Sequence, residues 1–358
     1  MTLLKKINKR FYPKNYLFPP EWIVLGVNNV CNLHCKMCDV GTKNIDSNFA
    51  QNLVGTRPLN MPPELVKKVI DHTAKYYPKS KLAYAFTEPL VYPHLLESLA
   101  YASKKGLHTT ITTNALTLKH KAEKMVNSGI NDVYISLDGP QDIHNEIRGH
   151  KKSFQKALEG IEILAGMDRR PTINIICAIT EWNVKHLKNM LDSLKHLIIN
   201  EVGFMHTQFV TKASVALHQN TPWGALYPAH DSNMDLIDLK NMDLNALLDE
   251  VRLIKKTSYP FRVYFSPEID SIENLELYYL QTEKIIGKNC HAVYSSIMIK
   301  SDGTVIPAHG RCYNLNLGNL HDKSLKEIWE SGTLKKLRSD LNKAGGLFPA
   351  CSRCCSAF

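Results

Sequence analysis

Three cysteines, Cys31, Cys35 and Cys38, fall within one short stretch directly after the apolar run Trp22-Ile23-Val24-Leu25-Gly26-Val27. Thiols this dense, set just past a buried strand, can close on one metal centre and leave it a ligand short. An iron–sulfur cube has four iron corners held as a rule by cysteine thiolates, so three protein ligands leave one iron open. Structural zinc favours paired Cys-x2-Cys units or Cys/His sets that add up to four ligands. The only local fourth ligand is His34, and zinc stays open on these residues alone.

Nine cysteines in a chain without an export signal argue for metal or redox chemistry rather than disulfides. Cys177 stands alone in an apolar run and reads as a small buried hydrophobe. Cys290, Cys312, Cys351, Cys354 and Cys355 gather near the end, so two metal sites are expected. No apolar run reaches membrane-spanning length, and the basic start MTLLKKINKRFYPKNYLFPP lacks the continuous apolar core of a signal peptide. The chain is therefore expected in the cytoplasm, with no membrane partner.

The formal charge of +10 invites a nucleic-acid reading. Its lysines are instead scattered along predicted helix faces, without an arginine-rich tract or an aromatic RNA-binding motif. A solvated surface is the expectation, and nucleic acid is not an expected partner; RNA modification would require salt-sensitive RNA binding. A basic face also suits an acidic electron donor such as flavodoxin or ferredoxin.

From Trp22 to Ser266, β-branched or apolar runs alternate with helical periodicity. Strands are predicted near 22–27, 81–86, 108–113, 132–137, 172–179, 200–206 and 261–265, and helices near 62–76, 94–105, 118–128, 153–166 and 184–196. Six βα repeats imply a parallel sheet with helices outside. Barrel enzymes build their sites at the C-terminal strand ends. Polar residues recur there: Glu88-Pro89 after the second strand, Asn114 after the third, and Ser136-Leu137-Asp138-Gly139 with His144 and Arg148-Gly149 after the fourth. The stretch from Met205 to Asp231, rich in His, Trp and Tyr, is expected to be irregular and to contact substrate.

The Cys-x3-Cys-x2-Cys loop, with Met37 before its last thiol, resembles that of the radical S-adenosylmethionine (radical SAM) enzymes. That resemblance implies a partial (β/α)6 barrel whose 4Fe–4S cluster, held by Cys31, Cys35 and Cys38, binds SAM at its open iron. It also implies SAM contacts for Glu88, Asn114, Ser136, Asp138 and Arg148. Glu88-Pro89 matches the end of the family's Gly-Gly-Glu-Pro motif, with Phe86 and Thr87 where glycines stand. Ser136 would hydrogen-bond SAM, Arg148 would pair with its carboxylate, and Asp138 would contact substrate or SAM. His144 reads equally as a helix cap. The run Ile173 to Ile179 stands where the family walls the adenine, with Thr180 and Asn183 beyond it.

Near the end, Ser301-Asp302-Gly303 is a hairpin turn signal between two apolar strands. Cys290 precedes it, Cys312 follows it, and one amphipathic helix is predicted over Ser324–Leu341. This resembles the SPASM/twitch module, a small α+β unit carrying auxiliary iron–sulfur clusters. The five thiols imply one auxiliary 4Fe–4S cluster held by Cys290, Cys312, Cys351 and Cys354, with Cys355 a spare or a replacement for Cys354. Ala308 stands where the family often has a cysteine. A four-thiolate zinc knot is the alternative.

The α/β chain is thus expected to comprise an N-terminal extension (1–20), the barrel (21–225), a connecting segment completing it (226–281) and the auxiliary module (282–358). The resemblance implies an oxidoreductase that cleaves SAM to a 5′-deoxyadenosyl radical and abstracts a hydrogen atom. The second cluster would aid a net oxidation or rearrangement. A small natural-product or sugar-like substrate is favoured, because the cluster loop begins too early for an upstream leader-peptide recognition domain. Modification of a peptide or protein side chain is the alternative, and a non-catalytic iron–sulfur or zinc scaffold the alternative of another class.

Overall fold

Apolar residues recur at every second position in most of the predicted strands, and the computed structural model, which describes residues 3–358, turns those residues to one side of a single sheet. Seven strands run parallel and side by side: β1 (Trp22–Leu25), β2 (Lys81–Tyr84), β3 (Thr109–Thr113), β4 (Asp132–Ser136), β5 (Thr172–Ile179), β6 (Glu201–His206) and β7 (Arg262–Ser266). Ile23, Leu25, Ile111, Val133, Ile135, Ile175 and Val202 are fully or almost fully buried beneath the helices. Residues of the opposite parity in register, such as Thr112, Tyr134 and Ile176, line the concave side and are only partly covered.

The hairpin of β8 (Ser296–Ile299) and β9 (Thr304–Pro307) forms at the predicted turn, with Gly303 at φ +81°. β8 pairs parallel with β1, and the short β10 (Gly318–Asn319) closes the order β10-β9-β8-β1-β2-β3-β4-β5-β6-β7. The C-terminal hairpin thus continues the barrel sheet. Val24, Ala83, Met298 and Ile306 share a concave-side apolar cluster with Phe49 and Leu53 of the helix Asn48–Val54.

Two expectations are corrected. The helix predicted over Ser324–Leu341 is two, Leu325–Trp329 and Gly332–Lys343. Ser331 breaks it because its side chain caps the second helix, accepting from the Leu334 N–H at 3.3 Å. The stretch from Met205 to Asp231 is not wholly irregular: Thr211 caps a helix over Lys212–Gln219. Its aromatic residues pack inward, Trp223 and Tyr227 stacking on Phe348 with centroids 5.4 and 5.1 Å apart, and His218 on Tyr313 at 5.6 Å. Ring stacking accounts for the density of Trp223, Tyr227 and His218, while Phe209 and His230 of the same stretch line a cavity.

His206 closes β6 on the helix-covered side, its Nδ1 2.7 Å from the Tyr279 hydroxyl and its Nε2 without a partner among the described residues. Burial pushes its pKa down to about 3 from 6.5. The unfolded chain takes up a proton that the folded chain refuses, so stability present above pH 6.5 is lost as pH falls toward 3. The loss reaches about 1.4 kcal/mol per pH unit. Urea midpoints measured downward from pH 6.5 should fall less steeply for His206→Phe than for the parent, and parallel slopes would contradict the assignment.

Candidate metal and cofactor site

The loop that carries Cys31, Cys35 and Cys38 leaves the C-terminal end of β1 and is built for close approach. Gly41 lies so near that a side chain there would meet the Cys35 backbone at 2.5 Å. The Lys36 N–H donates to the Ile147 carbonyl at 3.0 Å, tying the loop to the helix Gln141–Arg148, which ends on Gly149 at φ +66°. That helix carries Arg148, whose Nη1 is 3.7 Å from the Cys35 sulfur. On the other flank Asn114 Nδ2 stands 3.9 Å from the Cys31 sulfur and 2.8 Å from Asn32 Oδ1. Burial pushes the Cys35 thiol up to about 12 against the pull of Arg148, and also raises Cys31. A metal that claims these sulfurs must displace their protons.

The strand-end carboxylates are occupied differently from expectation. Asp138 is fully buried: Oδ2 accepts from Arg148 Nε at 2.5 Å, Oδ1 from the Ala178 N–H at 3.0 Å, and its own N–H donates to His144 Nδ1 at 3.0 Å. It holds Arg148 rather than opening onto the cleft. Glu88, also fully buried, accepts from Thr113 Oγ1 at 2.6 Å, the Leu90 N–H at 2.9 Å and the Asn114 N–H at 2.8 Å. Burial raises its pKa and those three bonds oppose the rise. His144 lies inside its helix, not at its cap. Ser136, Ile176 and Ala178 are half-buried on the concave face, while Cys177 is fully buried behind it.

Phe86 and Thr87 adopt φ of +64° and +31°, the left-handed region that glycine prefers. Such conformations cost of order 1–3 kcal/mol each. Thr87 is held there by Asn28, its hydroxyl donating to Oδ1 at 2.7 Å and to the carbonyl at 3.1 Å. The backbone shape of a Gly-Gly turn is therefore present without the glycines. Asn28 is a fixing residue that the sequence did not single out, and Asn183, named there only as lying past the strand, donates to the Asp138 and Ala178 carbonyls at 2.8 Å.

Cys290, Cys312, Cys351 and Cys354 line a second cavity together with Phe49, Phe209 and Arg311; Cys355 is not on its wall. Tyr313 brings its hydroxyl to 3.2 Å from the Cys351 sulfur. His309, missed in the sequence, has Nε2 3.7 Å from the Cys354 sulfur and 4.0 Å from that of Cys355, and stacks on Phe86 at 6.3 Å. Among the described residues only His309, Cys354 and Cys355 bring three donor atoms within 4.8 Å of one another, the closeness a single ion needs. The Cys31, Cys35, Cys38 set and the four thiols of the second cavity stand wider, which suits a polynuclear cluster better than one zinc.

A sequence model described as the radical SAM superfamily matches residues 26–194, and one described as SPASM, an iron–sulfur cluster-binding domain, matches residues 290–355. Fe-coproporphyrin III synthase of Methanosarcina barkeri is 26% identical over 199 residues, 55% of this chain and 47% of its own length. GTP 3′,8-cyclase of Helicobacter pylori is 28% identical over 189 residues, 52% of this chain and 56% of its own. The chain thus spans about half the length of these relatives. Streptococcus suis SuiB, solved with its precursor peptide SuiA, shares the fold at TM-score 0.64 and 17% identity over 95% of this chain and 72% of its own. The structure of anSMEcpe with bound AdoMet and Cp18Cys peptide does so at 0.58 and 19%, over 89% and 82%.

Proposed function

The chain is a radical SAM enzyme with a C-terminal SPASM iron–sulfur domain, and from that premise we propose that it oxidises or rearranges a small natural-product or sugar-like molecule. The observation that carries the small-substrate reading is a strap across the open side of the barrel. Asp39, next to Cys38 and fully buried, accepts from Ser232 Oγ at 2.6 Å and from the Asn233 N–H at 2.7 Å. Ser232 also bridges to Val210 beyond β6, and Asn48 Nδ2 donates to the Pro228 carbonyl at 3.0 Å. Strands β1 and β6 stand far apart in the sheet order, so these bonds tie segments from the two sides of the barrel together across its open side, which favours a compact substrate. The names Fe-coproporphyrin III synthase and GTP 3′,8-cyclase are in keeping with a small substrate, whereas SuiB and anSMEcpe were solved with peptides.

With clusters and SAM bound, the first site would supply reductive cleavage of SAM for hydrogen-atom abstraction, and the auxiliary cluster would supply an electron acceptor. Cys31, Cys35 and Cys38 would hold the first cluster and leave one corner to SAM. Asn114 and Ser136, at the strand tips, would contact SAM, and Arg148 would turn its remaining N–H groups to the SAM carboxylate. Asp138 and Glu88 act one step back: the first fixes the guanidinium, the second fixes the Asn114 backbone and the Leu90 N–H of the turn that follows it. Cys290, Cys312, Cys351 and Cys354 would hold the auxiliary cluster, with no ligand position left open for substrate.

Anaerobic, reduced enzyme supplied with SAM and fractionated cell extract tests the substrate class. A filtrate that passes metabolites and holds back peptides should stimulate 5′-deoxyadenosine formation. Stimulation by the retained fraction alone would transfer the assignment to a peptide or protein. Ligation is tested by single changes: Cys354→Ala should lose about four irons per chain and the auxiliary signal in electron paramagnetic resonance, whereas Cys355→Ala should keep both. The opposite pair of results would make Cys355 the ligand.

A further inference from the structure

Surface helices usually turn their apolar stripe to the core. The helix Leu3–Phe11 does the reverse. Its inward side is polar: the buried Asn8 donates from Nδ2 to the Tyr12 and Asn15 carbonyls at 3.2 and 3.0 Å and accepts from the Leu17 N–H at 2.8 Å. Lys9 donates to the Cys290 carbonyl at 2.8 Å and lies over the Tyr294 ring, while Lys5 pairs with Glu21 at 2.6 Å. Outward stand Leu3, Leu4, Ile7 and Phe11, which at helical spacing form one stripe and are 72, 68, 42 and 69% exposed. Lys6 and Arg10 flank it and Lys14 follows it, all exposed.

We propose that this face seats the enzyme on an anionic lipid surface, the helix lying in the headgroup layer with its stripe in the acyl boundary and its basic side chains against the headgroups. A basic amphipathic helix that exposes Leu and Phe has the composition of an interfacial anchor. The occupant is argued from charge. A second copy would bring the same cations against these, in a chain whose formal charge is already +10. A purely polar acidic partner would leave the stripe in water, whereas an anionic membrane satisfies both halves of the face. No helix among the described residues is long and apolar enough to cross a membrane, so the enzyme would lie on the surface rather than span it. Such contact needs neither a spanning nor an export segment, so a membrane partner replaces the expectation of none. Because Lys9 holds the Cys290 carbonyl, the auxiliary module would rest beside the lipid.

Full-length, cluster-loaded protein should co-sediment with vesicles of equal parts phosphatidylcholine and phosphatidylglycerol, and not with phosphatidylcholine alone. Removing a basic residue near an anionic surface weakens binding about fivefold, so Lys6→Gln with Arg10→Gln should lose more than tenfold. Salt at 1 M shortens screening to about 3 Å and should release the protein. Leu4→Asp with Phe11→Asp should abolish sedimentation while SAM cleavage and the thermal midpoint stay at parental values, both residues being exposed on the outward side of the helix, opposite the Lys9–Cys290 contact. Four outcomes would overturn the proposal: no binding to the mixed vesicles, undiminished binding by the Leu4/Phe11 variant, equal binding to phosphatidylcholine alone, or a concentration-dependent dimer or flavodoxin complex through this face without vesicle binding.

Discussion

Replacing Cys31, Cys35 and Cys38 together with alanine should abolish formation of 5′-deoxyadenosine from SAM by anaerobically reconstituted, dithionite-reduced protein. The three sulfurs share one loop, the Arg148 guanidinium and the Asn114 amide flank two of them, and that loop carries no fourth thiol. Iron should fall by about four atoms per chain, one cubane, with the auxiliary signal retained. Cys290→Ala or Cys312→Ala should have the complementary effect, sparing SAM cleavage while blocking substrate product. Undiminished cleavage in the triple variant, or zinc in place of iron in the parent, would reject the assignment.

The largest expected loss of stability comes from Asp138→Ala. The substitution strands a guanidinium whose side chain is only 11% exposed and leaves the Ala178 N–H without its acceptor. Removing one member of a buried, hydrogen-bonded ion pair costs about 3–5 kcal/mol. Asp138→Asn keeps an acceptor but no charge and should fall between. Chemical denaturation of the cluster-loaded protein measures both, and an unchanged midpoint for Asp138→Ala would show that the pair is not fixed as drawn. Where the alanine variant still folds, SAM should also bind more weakly, because Arg148 loses the anchor that aims it.

Strand placement was largely legible because burial beneath the helices imposes a period of two that the sequence carries openly, as in Ile173, Ile175, Cys177 and Ile179. The three-thiol loop was legible because its ligands are neighbours in the chain. The roles of Glu88 and Asp138 were less so: their place at strand ends could be read, but which way each carboxylate faces depends on Thr113, Asn114, Arg148 and Ala178, contributed by other segments. The Phe86-Thr87 turn was obscured for a related reason. Its left-handed backbone is supported by Asn28, distant in sequence, so no local residue type announces it.

Local chemistry and periodicity, written in the sequence, determined the order of strands and helices, the two groups of thiols and the barrel class, since each depends on residues close along the chain. Tertiary structure decided the rest: the fusion of β8 to β1, the strap from Asp39 to Ser232, the approach of His309 to Cys354 and Phe86, and the outward stripe of the first helix. These contacts join segments whose separation carries no pattern, and only the packing of the folded chain selects which partner each side chain meets.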